Sequence, residues 1–263
     1  MPEVFTRDNI PLKYHITGTG PTVVCILGYA MTQDEWPGRM ISRLSESLRV
    51  IRYNHRGISG ISNPDCPFTI PTAAEDLHDV ISTLTDGQIH ILGYSMGGMV
   101  GLEYALRYPQ SLGRIVLIST HCGGDAMIPP NPQVIEEMGT EPSSLDEYLN
   151  RAGRLLLTES FRQTHPDPMS WFVDYGEPAN PAAIREQYQA MDEWKGVYSE
   201  LPRIIAPALV MCGDQDVVVP PENSQILADA MPHATLKIMK NAGHGFIFED
   251  PVQIAEMVKE FFG

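Results

Sequence analysis

The chain reads QIHILGYSMGG over residues 88–98, and this stretch carries the strongest indication of both fold and chemistry. An apolar run with strand character comes first, Gly-x-Ser-x-Gly follows directly, and a helical pattern begins after it. A serine between a strand and a helix must lie on a sharp, strained turn, and nearby glycines let neighbouring backbone approach it. The hydroxyl of Ser95 is then exposed above a sheet, at the positive end of a helix dipole. The pattern predicts a nucleophile.

Short apolar runs that look like buried strands recur on both sides of this serine. They span residues 22–27, 49–53, 88–92, 114–119, 208–212 and 235–239. Most are separated by segments with helical periodicity, at 34–47, 70–85, 96–108, 221–231 and 251–262. Short buried strands alternating with helices indicate an α/β fold, in which a mainly parallel sheet is covered by helices on both faces.

The first twenty residues follow another pattern. Residues 4–20 contain two short strands around an Asp8-Asn9 turn and close at a Gly-Thr-Gly-Pro sequence, as in an antiparallel hairpin. We expect this hairpin to form one edge of the sheet. Added to the six runs above, it predicts eight strands with an antiparallel N-terminal edge.

Residues 121–207 interrupt the alternation of strands and helices. This interval contains many prolines, no convincing strand, and apolar residues at helical spacing in 145–158 and 182–195. A chain of 263 residues can form one substantial core. We therefore predict a single catalytic core built from residues 1–120 and 208–263, with residues 121–207 inserted as a helical cap over the sheet.

The charge balance and the cysteines limit the partners and the location. Against 18 lysines and arginines stand 33 aspartates and glutamates, a net charge of −15, so a basic face for nucleic acid or an anionic membrane is not expected. The four cysteines are widely spaced without a Cys-x-x-Cys pair, which is typical of reduced, packed thiols. The beginning of the chain has neither a basic leader nor a long apolar segment, and a cytoplasmic location is the expectation. Whether the chain forms a homo-oligomer is left open.

A serine hydroxyl needs an adjacent base to attack at neutral pH, and eight histidines compete for that role. His244 lies between two glycines after the last predicted strand, so it would project from the strand end beside Ser95. His78 falls within a predicted helix and His90 within a predicted strand. The other five lack the chain position of His244, which is therefore the predicted base.

Two aspartates compete to orient this base. Asp214 and Asp216 both follow the strand predicted at 208–212. Asp214 is closer to the strand and could cap the turn, whereas Asp216 is followed by apolar residues that would keep water from its carboxylate. We favour Asp216 and keep Asp214 as the alternative, with Asp125 next. The resulting order of Ser, Asp and His along the chain is typical of α/β-hydrolases and differs from the chymotrypsin and subtilisin orders.

These residues make the chain resemble the α/β-hydrolase superfamily over nearly its whole length. The resemblance rests on the early strand-glycine loop, GYSMGG at 93–98, GDQD at 213–216 with a later proline, and GHG at 243–245. Residues 50–57, 93–102 and 114–120 look like the esterase and enol-lactone hydrolase branch, which includes methylesterases of polyketide metabolism. Dehalogenases and epoxide hydrolases of this fold use an aspartate where this chain has Ser95, so acyl transfer to water is the implied reaction.

The resemblance also implies where the oxyanion and the substrate bind. Matching on Gly28, with Trp36 eight residues later, assigns the oxyanion donors to the backbone N–H groups of Tyr29 and Met96, although Leu27 stands where the family usually has histidine. Large apolar side chains near the loops and in the insertion could line a substrate pocket. The candidates are Tyr29, Met31, Met127, Trp171 and Trp194, beside Met96, Met169, Phe172 and Tyr175.

The expectation is therefore a serine hydrolase that cleaves a small or medium carboxylic ester or a lactone through an acyl-enzyme. No metal or organic cofactor is implied, and the partner is a small-molecule ester or lactone substrate. A carbon–carbon bond hydrolase or lyase of the same fold is one alternative, because the same catalytic residues can act on a ketone or a cyanohydrin. A ligand receptor that retains these residues is the other.

Overall fold

The computed structural model describes residues 1–60, 66–140, 143–172 and 179–263. An eight-stranded sheet forms its centre, with the strand order β1-β2-β4-β3-β5-β6-β7-β8. The strands are β1 Glu3–Phe5, β2 Pro11–Thr17, β3 Thr22–Ile26, β4 Arg49–Tyr53, β5 Ile89–Tyr94, β6 Leu112–Ile118, β7 Ala208–Gly213 and β8 Ala234–Met239. β1 and β2 pair antiparallel at one edge, and every pair from β4 to β8 is parallel. The predicted fold class is confirmed.

Helices connect the strands and cover the sheet. They are α1 Gly38–Leu44, α2 Ile70–Leu84, α3 Met96–Arg107, α4 Pro132–Gly139, α5 Leu145–Leu156, α6 Glu159–Thr164, α7 Pro181–Glu193, α8 Glu222–Ala230, α9 Phe246–Glu249 and α10 Pro251–Phe262. Several begin with a proline in the first turn, where its missing N–H costs nothing and its fixed φ already suits the helix.

The central strands are buried on both faces along most of their length, so they are mainly apolar. Along β3, Val24 and Ile26 point into one core, which α2, α3 and α8 complete. Val23 and Cys25 point into the other core, which α1 and α10 complete. This alternation follows from the two-residue period of a strand, and it explains why the sequence shows continuous apolar runs.

One predicted helix is divided in the structure. Instead of a single helix over 34–47, a short 3₁₀ turn at Gln33–Glu35 precedes α1. Pro37 lies between them with a non-helical ψ of 117°. A proline ring disfavours helical backbone at the residue before it, so the chain can restart the helix only after Pro37. The other predicted core elements are found within about two residues of their expected ends.

The insertion, defined here as residues 121–207, contains α4 to α7 and no strand among its described residues. The helices predicted at 145–158 and 182–195 correspond to α5 and α7, whereas α4 and α6 were not predicted. Tyr175 lies outside the described residues. The division into core and cap stays a prediction.

Two further predictions from the sequence concern the state of the thiols and contact with a membrane. None of the four cysteines, all within the described residues, forms a disulfide, and Cys25, Cys122 and Cys212 are buried. In the parts of the chain that the structure describes, no helix combines the length and the apolar character needed to cross a membrane.

A buried ion pair anchors the loop that follows β4. Arg56 donates from Nε and Nη2 to the two carboxylate oxygens of Asp76 on α2, over 2.7 and 2.5 Å, and from Nη1 to Asp8, over 3.0 Å. The side chains of Arg56 and Asp76 are 6% and 2% exposed, so neither charge could be satisfied by water alone. Removing one partner of such a pair leaves an uncompensated buried charge.

We therefore expect Asp76→Ala to lower the free energy of unfolding by about 3–5 kcal/mol, measured by urea denaturation. Asp79→Ala, one turn further along α2, is the matched control, because Asp79 pairs with the half-exposed Arg7. That change should cost no more than about 1 kcal/mol. Equal losses in the two variants would contradict the claim that the buried pair of Arg56 and Asp76 stabilises the fold.

Candidate active site

Ser95 lies on a sharp turn between β5 and α3. Its backbone angles are φ 53° and ψ −120°, a conformation that non-glycine residues rarely adopt. The turn is held on both sides, because Ser95 N donates to Ile118 O of β6 over 2.8 Å and Gly98 N donates to Ser95 O, also over 2.8 Å. The Thr120 hydroxyl donates to the same carbonyl over 2.8 Å. The Ser95 side chain remains partly exposed above the carboxyl ends of the strands.

Two glycines make this turn possible. A β-carbon at Gly97 would lie 2.1 Å from the Ile26 carbonyl oxygen at the end of β3, a distance that excludes any side chain. A β-carbon at Gly28 would lie 3.2 Å from the β-carbon of Ser95, tighter than nearly all such contacts. The loop after β3 therefore packs directly against Ser95.

The structure brings Ser95, His244 and Asp216 together from three separate loops. His244 Nε2 lies 3.1 Å from Ser95 Oγ. On the other side of the ring, His244 Nδ1 lies 2.8 and 3.0 Å from the two carboxylate oxygens of Asp216. His244 and Asp216 are only 2% and 5% exposed. This is the geometry of a nucleophile, a base and a carboxylate that orients the base.

The three candidate aspartates have different surroundings. Asp216 Oδ1 accepts hydrogen bonds from the backbone N–H groups of Val218 and Val219, over 2.9 and 2.8 Å, which fix the carboxylate beside His244. Asp214 is partly exposed, lies 3.5 Å from Lys240 and accepts a long bond from Ala242 N. Asp125 is exposed. Only Asp216 reaches His244.

The loop that carries His244 is held by main-chain groups. The hydroxyl of Ser119, at the end of β6, donates to the His244 carbonyl over 3.0 Å. Gly245 N donates to the carbonyl of Leu156 at the end of α5, over 2.6 Å. The insertion therefore contacts the histidine loop directly, and sequence patterns gave no indication of this contact.

The predicted oxyanion donors flank Ser95. Met96 begins α3, and Tyr29 follows Gly28 in the loop after β3. Within the described residues, neither of their backbone N–H groups has a hydrogen-bond partner. At the position where the resemblance led us to expect histidine, the Leu27 carbonyl accepts a bond from His55 Nε2 over 3.3 Å. His55 thus anchors the loop from the core side, and no sequence pattern pointed to it.

The predicted pocket residues divide into two groups. Tyr29, Met31 and Met127 are partly exposed, and Tyr29 contacts Tyr188 of α7 edge to face, with ring centroids 6.1 Å apart. Trp171 and Trp194 are 7% and 8% exposed.

Both indole N–H groups are already bonded within the protein. Trp171 donates to His165 O over 2.5 Å and packs against Gly153 of α5, whereas Trp194 donates to Glu103 of α3 over 2.8 Å. These contacts show how each indole is held, and a place for either ring in a substrate pocket stays a prediction.

The remaining histidines show how burial controls charge around the site. Burial lowers the pKa of His55 from 6.5 to about 4, and burial with the nearby His244 does the same for His121. His121 Nδ1 accepts from Gly123 N over 3.0 Å, which is a bond to the neutral ring. His78 stacks on Tyr108 and His90 on Phe262, both away from Ser95. Across the described ranges, no three His, Cys, Asp or Glu side chains converge as metal ligands.

The chain is similar to known hydrolases in both sequence and structure. The family model for the alpha/beta hydrolase fold matches residues 21–251. The poly(3-hydroxyalkanoate) depolymerase of Ectopseudomonas oleovorans is 27% identical over 84% of this chain and 77% of its own length. The pimeloyl-[acyl-carrier protein] methyl ester esterase of Nitrosomonas europaea is 25% identical over 90% and 94%. The crystal structure of a hydrolase from Pseudomonas aeruginosa PA01 superposes with a TM-score of 0.84 at 24% identity, covering 100% of this chain and 98% of that one.

The low pKa of His55 predicts how stability changes with pH. Between about pH 6.5 and 4 the unfolded chain binds a proton at this histidine and the folded chain does not, so lowering the pH destabilises the fold. His55→Gln keeps a donor for the Leu27 carbonyl and should reduce the slope of unfolding free energy against pH in this window, by up to about 1.4 kcal/mol per pH unit. Urea denaturation at several pH values measures it.

His233→Gln is the control for this experiment, because His233 is exposed and its replacement should leave the slope unchanged. Parallel curves for wild type and His55→Gln would show that burial does not keep this imidazole neutral.

Proposed function

Because the chain belongs to the α/β-hydrolase family, we propose that it is a serine hydrolase that cleaves a small or medium carboxylic ester or a lactone through an acyl-enzyme. The observation that carries the proposal is the hydrogen-bonded series from Ser95 through His244 to Asp216, with 3.1 Å between hydroxyl and imidazole. A serine becomes nucleophilic at neutral pH when such a base accepts its proton.

In the first half of the reaction Ser95 Oγ attacks the ester carbonyl while His244 Nε2 accepts the hydroxyl proton. The Asp216 carboxylate accepts the Nδ1–H bond, which holds the ring in the tautomer that leaves Nε2 free and stabilises the imidazolium as it forms. His244 then donates its proton to the leaving alcohol oxygen, and the acyl group stays on Ser95.

The negative charge of the tetrahedral intermediate falls on the former carbonyl oxygen. The N–H groups of Tyr29 and Met96 have no other hydrogen-bond partner within the described residues, so they are available to bind this oxygen. Met96 is the first residue of α3, and the partial positive charge at the helix N-terminus adds to the attraction.

In the second half a water molecule takes the place of the alcohol. His244 removes a proton from the water, the resulting hydroxide attacks the acyl carbonyl, and the proton returns to Ser95 Oγ as the acid is released. For a lactone the alcohol and the acid are parts of one product. Each step uses side chains, backbone amides and water.

The relatives support an oxygen ester as the substrate class. A poly(3-hydroxyalkanoate) depolymerase and a methyl ester esterase are among the proteins that this chain resembles along most of its length. A panel of aryl and alkyl esters, lactones and diketones, followed by product analysis, tests the class. Exclusive cleavage of diketones would favour a carbon–carbon bond hydrolase, and tight binding without turnover would favour a receptor.

Ser95→Ala should remain folded and no longer react with a fluorophosphonate probe, whereas the wild type should be labelled on Ser95. Its rate of ester turnover should fall by several orders of magnitude. A residual acceleration of roughly 10³–10⁴ over the reaction in water should remain, since oxyanion binding survives. Mass spectrometry of the labelled peptide identifies the site. Labelling of the variant, or of another serine in the wild type, would overturn the assignment.

The two neighbouring aspartates give a paired prediction. Asp216→Asn should leave KM nearly unchanged and lower kcat by about 10⁴, because an asparagine cannot hold the required tautomer or stabilise the imidazolium. This corresponds to about 5 kcal/mol of transition-state stabilisation. Asp214→Asn should reduce stability by about 1 kcal/mol and leave most of the chemistry intact, because its carboxylate contacts Lys240 and Ala242 rather than the imidazole.

Steady-state kinetics and thermal melting on both variants measure the pair. The reverse pattern would transfer the role to Asp214. If neither variant loses more than about tenfold in kcat, the carboxylate must lie elsewhere.

A further inference from the structure

Gln187 is a polar residue on the buried face of a helix in the insertion. It lies on α7 between Ala183 and Ala190, at the spacing that places all three on one side, and it is 0% exposed. The two alanines are apolar, as residues on a buried helix face ordinarily are. Burying a carboxamide there costs free energy unless its hydrogen bonds are made, so the glutamine needs an explanation that an apolar residue would not.

The acceptor half of this carboxamide bonds to the loop proposed to bind the oxyanion. Ala30 N donates to Gln187 Oε1 over 2.9 Å. Ala30 has a φ of +62°, which an alanine holds only when its surroundings impose it. The residue before it is Tyr29, whose amide we assign to the oxyanion hole. Gln187 therefore contacts the backbone at the point where a small rotation would move that amide.

The loop is thus held from two directions. From the core side, His55 Nε2 bonds to the Leu27 carbonyl. From the insertion side, Gln187 bonds to Ala30 N, and the Tyr29–Tyr188 ring contact lies next to this bond. The Tyr29 amide lies between the two anchoring points. An oxyanion donor is effective only at about 2.7–3.1 Å from the developing charge. The two hydrogen bonds that hold the loop therefore determine whether the Tyr29 amide can bind the oxyanion.

We propose that Gln187 is a positioning residue that couples the insertion to the oxyanion hole, by holding the loop at Ala30 in the conformation that aims the Tyr29 amide at the oxyanion. This proposal rests on the proposed serine hydrolase mechanism. Gln187 acts through the loop and does not itself touch the reacting atoms.

The donor half of the carboxamide supports the same role. Gln187 Nε2 is buried and has no partner among the described residues. A protein tolerates a buried unsatisfied donor when the other half of the group is needed, and here the other half is the acceptor for Ala30. A residue kept only for packing at this position would not carry that penalty.

The test compares three substitutions on α7. Gln187→Met keeps the length of the side chain and removes the acceptor, whereas Gln187→Glu keeps an oxygen in the same place. Gln189→Met is the matched control, because Gln189 is exposed on the same helix and its side chain bonds only to Glu193 among the described residues.

The first measurement does not depend on activity. Hydrogen–deuterium exchange of the peptide that covers residues 27–33 should be faster in Gln187→Met than in the wild type, and unchanged in Gln189→Met. An unchanged exchange rate in Gln187→Met would show that the bond does not hold the loop, and it would overturn the proposal.

The second measurement separates positioning from mere stability. Gln187→Met should lower kcat by roughly 10- to 100-fold with KM unchanged, because a small displacement of an oxyanion donor affects the transition state and not substrate binding. Affinity for a trifluoromethyl ketone, which forms a tetrahedral adduct on the serine, should fall by the same factor. Gln187→Glu should recover part of both losses, and Gln189→Met should lose neither.

A lower melting temperature with kcat and ketone affinity intact would reduce Gln187 to a structural residue and overturn the proposal. Failure of the proposed function looks different. In that case the wild type would neither hydrolyse any ester of the panel nor be labelled on Ser95, and the positioning role of Gln187 would fall with it. Wild-type turnover that Gln187→Met leaves unchanged would overturn the role of Gln187 alone.

Discussion

The left-handed backbone conformation of Ser95 places strict demands on everything around it. The turn requires Gly97 to pass within contact of the β3 carbonyl end, which is possible only because β3 and β5 are neighbours in the sheet. Gly28 must pack against Ser95, and that brings the loop after β3 next to the serine. A backbone strained in this way persists because the sheet holds it on both sides. The parallel strands thus keep the backbone of Ser95 in its strained conformation.

The sequence was sufficient for the parts of the molecule that depend on local pattern. Six apolar runs and an N-terminal hairpin pattern predicted the eight strands, and the strand, serine and helix in succession predicted the turn at Ser95. His244 and Asp216 could be proposed because each follows a strand at the carboxyl edge, where parallel strands bring their loops together. Pro37 shows the limit of periodicity, since the apolar pattern continues through it while the backbone cannot.

Contacts between distant segments could not be predicted from pattern. His55 and Gln187 meet the loop after β3 from opposite sides, yet they lie 28 and 157 positions away from the residues they bond. The only local signal for Gln187 is a carboxamide at an apolar position of α7. The same limit holds for Trp194, whose indole N–H group donates to Glu103, 91 positions away.

The insertion bonds to main-chain N–H groups in two loops of the candidate site. Leu156 accepts from Gly245 through its carbonyl, and Gln187 accepts from the Ala30 amide. Backbone groups are present whatever the side chains, so a foreign helical segment could replace residues 121–207 in a chimeric enzyme. At these two points it would need to present a helix-end carbonyl and one well-placed acceptor. Recombination between family members could then exchange this segment as a module and leave the loops that carry Ser95, Asp216 and His244 in place.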